Sequence, residues 1–155
     1  MANEPSPSMF AATDGYAAQF SDAILLVGRI LLGWVMFITG WGKVFGTGFA
    51  GGVAYFTALG IPNPGFWVYP SMYAELILGA ALILGVATRY AAIGSFLYLI
   101  VATALAHRYW EVAPGPAAGN QFNHFIKNLS IMGGMLGYLL LGAGRFSVDN
   151  WLRNR

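Results

Sequence analysis

Two stretches decide what this chain can become. AILLVGRILLGWVMFITGWGK (residues 23–43) and YAAIGSFLYLIVATALAH (90–107) are almost wholly apolar, with Arg29 the one charge inside the first before its closing Lys43. A helix needs about 20 mostly apolar residues, at about 1.5 Å each, to cross the hydrocarbon of a bilayer. Both stretches reach that length, and a helix satisfies its own backbone where no water can. The same arithmetic forces two further spans. LILGAALILGVAT (76–88) crosses only if extended back to about Trp67, and it then takes in Glu75. LSIMGGMLGYLLLGA (129–143) crosses only if it includes NHFIKN, which brings in Asn123, His124, Lys127 and Asn128. The expected fold class is all-α: an integral membrane four-helix antiparallel transmembrane bundle, with spans over about 23–43, 67–88, 90–107 and 123–143.

Composition agrees with a lipid-covered surface. Hydrophobic residues make up 57% of the 155 and charged residues 9%, against about 25% charged in soluble domains. A net charge of +2 with no basic run gives no footing for nucleic acid. The absence of cysteine excludes thiol relays, disulfides, iron–sulfur clusters and thiolate metal sites. The first 22 residues carry Glu4, Asp14 and Asp22 but no Lys or Arg. They lack the basic start of a signal peptide, so 1–22 reads as a retained, flexible, cytoplasmic tail. Residues 144–155 read as a second polar tail. GIPNPG (60–65) is a turn, AYFTALG (54–60) a short interfacial helix, and EVAPGPAAGNQ (111–121) an irregular loop by composition. Arg89, Arg145, Arg153 and Arg155 lie on the side of the termini, with Arg29 close by, against Lys43, Arg108 and Lys127 on the other. The positive-inside rule then puts both termini in the cytoplasm.

Four antiparallel spans gather the polar residues. Lys43 ends the first span, Glu75 lies near the start of the second, and His107, Arg108 and Trp110 follow the third. Asn123, His124, Lys127 and Asn128 open the fourth, so all share one membrane face, expected to be external. Ionisable residues inside a bilayer pair or face a cavity, and are functional candidates by default. Glu75, His107, His124 and Lys127 are the candidates for chemistry. The wider set Lys43, Glu75, His107, Arg108, Trp110, Asn123, His124, Lys127 and Asn128 is the candidate binding cluster. Helical spacing puts Arg29, Gly33, Phe37, Gly40 and Lys43 on one face, and His124, Lys127 and Asn128 on another.

Plainer readings stand beside these. Lys43 and Arg108 suit end-of-helix snorkelling. Trp41, Trp67, Tyr69, Tyr109 and Trp110 suit an interfacial aromatic belt. Gly133 and Gly137 suit helix packing. Arg29, Arg89, Arg145 and Asp149 suit a structural cluster at the other face.

The elements GRILLGWVMFITGWGKVFG (28–46), AYFTALGIPNP (54–64), AELILGAALILGVATR (74–89), ATALAHRYWE (102–111), NHFIKNLSIMGG (123–134) and GAGRFSVD (142–149) occur in this order across the four spans. Together they resemble the DoxX family of bacterial integral membrane proteins, over about residues 24–149. The resemblance implies a bacterial inner-membrane location. It also implies association with oxidoreductases: the family is named after a small membrane subunit associated with a thiosulfate:quinone oxidoreductase. Distant DoxX-like proteins of eukaryotes act as chaperones or cargo receptors. The family brings no agreed catalytic residues.

Two functions stay open at this level. In the first, the chain is the membrane subunit of a quinone-linked redox complex. A quinone needs donors and protonatable groups, which Glu75, His107 and His124 offer, while Lys127 or Lys43 stabilises negative charge. With only two histidines, a haem between His107 and His124, or a metal on Glu75, His107 and His124, is disfavoured. In the second, the chain is a non-catalytic scaffold, assembly factor or chaperone, and the cluster is an ion-pair network. Both readings expect a partner protein besides the lipid, and a homo-oligomer stays open.

Overall fold

The structure, a computed structural model, describes residues 9–155. Helix α1 spans Met9–Trp41 and runs on through a π-helical turn, Gly42–Thr47, into α2, Gly48–Ala58. Helices α3, α4 and α5 are Pro64–Leu84, Thr88–Ala106 and Pro116–Leu141. A 3-10 turn, Tyr109–Glu111, lies between α4 and α5, and α6 is Val148–Arg153. Among the described residues there is no strand.

Local signals set the boundaries. Pro64 and Pro116 open α3 and α5, where a missing N–H costs nothing and φ is already helical. Gly85, at φ 68°, ends α3 in the left-handed conformation that glycine adopts without strain. The Ser147 hydroxyl accepts the Asn150 N–H at 3.2 Å and caps α6.

Three stretches, Thr13–Ala58, Pro64–Leu84 and Thr88–Glu111, are long and apolar enough to cross a membrane. Their outer faces show Ile24, Leu31, Ile77 and Leu97 exposed, which lipid accounts for and water does not. The protein is an all-α membrane bundle. Helix α5 has the length, 26 residues, but its polar first turns keep it from the same uniform apolarity.

α1 packs along α3, α3 against α4, and α4 against α5, while α1 and α5 touch only briefly. The core joins Met36, Leu82, Ala91, Ala92, Leu99, Ile131, Met135 and Tyr138. Lipid tails are as apolar as leucine, so such helices associate by close packing rather than by escape from water. The closest approach is between α1 and α3. A Cβ on Gly79 would meet the Phe37 backbone N and, at 2.8 Å, the Gly33 carbonyl; one on Gly40 would meet the Leu76 backbone. The face expected from Arg29 to Lys43 does turn inward here. The expected packing role of Gly133 and Gly137 is corrected: a Cβ on either has nothing within 4 Å, whereas one on Gly134 would meet Leu32.

Other boundaries also differ from expectation. Residues 9–22, expected as part of a tail, continue α1 as helix, where Ala11, Ala17 and Ala18 favour it. Residues 1–8 lie outside those described. The loop expected to last to residue 121 gives way to α5 at Pro116, and the closing tail contains α6.

The end of the bundle nearest the termini is stitched by polar bonds. Arg29, only 1% exposed, donates to the carbonyls of Leu82 at 3.1 Å, of Ile83 at 2.7 Å and of Phe146. Asp149 accepts the Ala87 and Thr88 N–H groups at 2.6 and 2.8 Å. The Arg145 N–H donates to Asp22 at 2.7 Å. Tyr138 donates to the Leu25 carbonyl at 2.9 Å.

Candidate functional site

At the opposite end the helices part around a cavity of about 310 Å³. α1 contributes Met36 and Thr39, the π-helical turn Lys43, and α2 Tyr55 and Phe56. α3 contributes Ser71 and Glu75, α4 Tyr98, Leu99 and His107, and α5 His124, Lys127, Asn128 and Ile131. Lys43, in the π-helical turn, reaches this space from the inward face it shares with Gly40. Pro70, inside α3, also lines the space; it lacks the N–H that would bond one turn back.

The centre of the site is a chain of three side chains from three elements. Lys43 Nζ lies 2.8 Å from Glu75 Oε2. It approaches outside hydrogen-bond alignment, so charge rather than a directed bond holds that oxygen. Tyr98 Oη donates to Glu75 Oε1 at 2.6 Å, a length typical of a hydroxyl on an ionised carboxylate. Lys43 Nζ is also 3.5 Å from Ser71 Oγ.

A second group stands on the other wall. The rings of His107 and His124 stack with centroids 5.0 Å apart and planes 20° apart. His107 Nδ1 meets Gln121 Oε1 at 3.0 Å. An amide oxygen only accepts, so that nitrogen carries the proton. Lys127 Nζ meets His124 Nδ1 at 3.3 Å. An ammonium only donates, so the His124 proton sits on Nε2. Asn128 donates to Thr103 Oγ1 at 2.9 Å and ties α5 to α4.

Of the residues named from sequence, Lys43, Glu75, His107, His124, Lys127 and Asn128 line one cavity. Arg108, Trp110 and Asn123 do not. α4 ends at Ala106, and of the residues that follow it only His107 turns back to the cavity. Arg108 bonds the Leu59 carbonyl at 3.0 Å and pairs with Glu111 at 3.0 Å. Trp110 packs edge-on against Tyr109 and Phe125, and Asn123 faces outward. Trp67, assigned to the aromatic belt, lines the cavity instead. Tyr98, Tyr55, Ser71 and Gln121 were missed. Tyr98 had a signal: a phenol in mid-span must find a partner for its hydroxyl.

The arrangement limits what can bind. Among the described residues, no three His, Asp or Glu side chains group to hold a metal ion, so Glu75 does not join the two histidines as a ligand set. The histidine rings lie face to face, which leaves no room for a porphyrin between opposed ring nitrogens. The volume lies at the lower end of ligand pockets, about 300–1,000 Å³, and the lining is apolar with few convergent polar groups.

A profile of the DoxX family matches residues 24–108. The chain is 34% identical over 138 residues to Inner membrane protein YqjF of Escherichia coli (strain K12), covering 88% of this chain and 98% of that protein. It is 32% identical over 126 residues to Inner membrane protein YphA of the same organism, covering 81% and 88%. No solved structure matches.

Proposed function

This chain belongs to the DoxX family, and on that premise we propose that it is the membrane subunit of a quinone-linked redox complex in a bacterial inner membrane. The names of both relatives support the location. One observation carries the rest: an apolar cavity within the bundle presents a carboxylate held by a lysine and a phenol.

Bound quinone supplies two-electron chemistry, and the chain's own residues handle protons and charge. Of the two protons exchanged with a bound quinone, Glu75 carries one at a ring oxygen and the His107–His124 pair the other. Lys43 stabilises negative charge on either partner. Tyr98 fixes the carboxylate's orientation. The stacked His107 and His124 give a route for protons toward the aqueous side. A partner protein delivers or removes the electrons, and any thiol step belongs to it, because this chain has no cysteine.

The test is protein purified in mild detergent, with lipid extraction for quinone, a visible spectrum and metal analysis. Wild-type protein should carry quinone near one per chain. Glu75→Gln and Tyr98→Phe should lower that by about tenfold, the cost of one charged hydrogen bond, with thermal unfolding little changed. His124→Ala should weaken it less. Quinone-free wild-type protein would sink the reading.

A scaffold role has one specific observation in its favour. Lys43, Glu75 and Tyr98 tie the π-helical turn, α3 and α4 together, as an internal network would. In that case the same variants lower stability and partner recovery together.

A further inference from the structure

A second cavity, of about 220 Å³, opens at the other end, between the start of α4, the end of α5 and α6. Its wall includes Arg89, Gly142, Asp149, Asn150 and Arg153. Asp149 is committed to the Ala87 and Thr88 amides. Among the described residues neither Arg89 nor Arg153 makes a salt bridge. The cavity therefore presents two guanidinium groups against one carboxylate, an excess of one positive charge. Guanidinium groups bind phosphate oxygens in a fixed fork.

The surroundings say which phosphate. Arg89 and Gly142 mark the ends of membrane helices, so the cavity lies where headgroups lie. Leu141 lines it and is exposed, as are Tyr90 and Trp151, the neighbours in sequence of the lining residues Arg89 and Asn150, and Arg155 sits 3.7 Å over the Trp151 ring. An aromatic and aliphatic rim beside a cationic cavity suits a molecule with a phosphate at one end and acyl chains at the other. A free phosphate ion has no use for that rim.

We propose that this cavity holds the phosphate headgroup of an anionic phospholipid between Arg89 and Arg153. The assignment is independent of the quinone reading.

Native mass spectrometry of the full chain, taken from detergent with equal phosphatidylglycerol and phosphatidylcholine, tests it. Phosphatidylglycerol should be retained in preference, and excess inorganic phosphate should not displace it. Arg153→Gln should cut retention about fivefold, and Arg89→Gln with Arg153→Gln about 25-fold, at about one surface arginine's electrostatic share each. Arg145→Gln, outside the cavity with its guanidinium over Phe146, should change little. Arg153 is exposed in the last turn of α6, so its replacement tests the site even if the double variant fails to fold. Equal retention of both lipids, or equal effects of Arg145→Gln and Arg153→Gln, overturns the proposal. Displacement by inorganic phosphate makes this a free-anion site and overturns the lipid assignment.

Discussion

A single residue, Arg29, holds three backbone segments at one point. Its guanidinium donates to the last carbonyls of α3 and to the Phe146 carbonyl beyond α5. A helix ends with carbonyls that lack partners inside it, and in a bilayer no water replaces them. Arg29→Met keeps most of the volume and removes every donor. It should cost about 3 kcal/mol or more, since each buried acceptor left bare costs about 1–3 kcal/mol. Arg29→Lys should cost less, because an ammonium still reaches one or two of these oxygens. Thermal unfolding in detergent ranks the three proteins, and a methionine variant as stable as wild type refutes the role. Asp149 works nearby by a different balance. Burial pushes its carboxyl up, but the Thr88 and Ala87 donors outweigh that and hold it below its ordinary value of 3.8. A depressed carboxylate stabilises the fold above its unfolded pKa, and that contribution fades as pH falls through the lower folded one. Wild type should thus exceed Asp149→Asn in unfolding temperature at neutral pH. The gap should close only as pH drops below about 4. A gap unchanged down to pH 3 would contradict it.

Between elements, the α1–α3 contact is set by Gly33 and Gly40, which helical spacing put on one face, and by Gly79, which it did not single out. Gly79→Ala places a methyl against the Phe37 and Gly33 backbones, and backbone cannot rotate away as a side chain can. Overpacking of this kind costs about 1–3 kcal/mol. Gly133→Ala meets nothing within 4 Å and should be neutral or gain up to about 1 kcal/mol in helix propensity. Unfolding of the two variants side by side decides it, and equal destabilisation would mean the helix pairing is wrong. The contrast shows where sequence reading ends. Gly133 and Gly137 have the right spacing for packing, but spacing does not say which face a neighbour covers. Glu75, His124 and Lys127 were legible for a different reason: span length alone forces them into the bilayer, where they must converge. Tyr98 was hidden because an apolar run containing a tyrosine still reads as apolar. The π-helical turn that holds Lys43 leaves no mark in periodicity, since it changes one turn's hydrogen bonds and not the residue types, although spacing did put Lys43 on the inward face.

For the molecule as a whole, the two ends differ in kind. One is tied together by Arg29, Asp149 and Tyr138 on backbone, with a small polar cavity beside α6; the other opens into the larger, mostly apolar cavity lined by Glu75 and His124. Which end meets which compartment is a prediction from the arginines and lysines at each end. On the side of the termini, Arg29 is buried with both terminal nitrogens on carbonyls, but Arg89, Arg145, Arg153 and Arg155 are exposed. On the cavity side, Lys43 is paired with Glu75 and Arg108 with Glu111, leaving Lys127. The rule counts Lys and Arg rather than net charge, so four exposed arginines against Lys43, Arg108 and Lys127 lead us to propose that the termini face the cytoplasm. The absence of cysteine makes the test direct, because any introduced thiol is the only one. Ala113→Cys, between the 3-10 turn and α5, should react with a membrane-impermeant maleimide in cells whose inner membrane is intact. Asn154→Cys, one residue past α6, should react only after that membrane is broken. The reverse pattern would turn the cavity end toward the cytoplasm, and a redox partner for Glu75 and His124 would then be sought there.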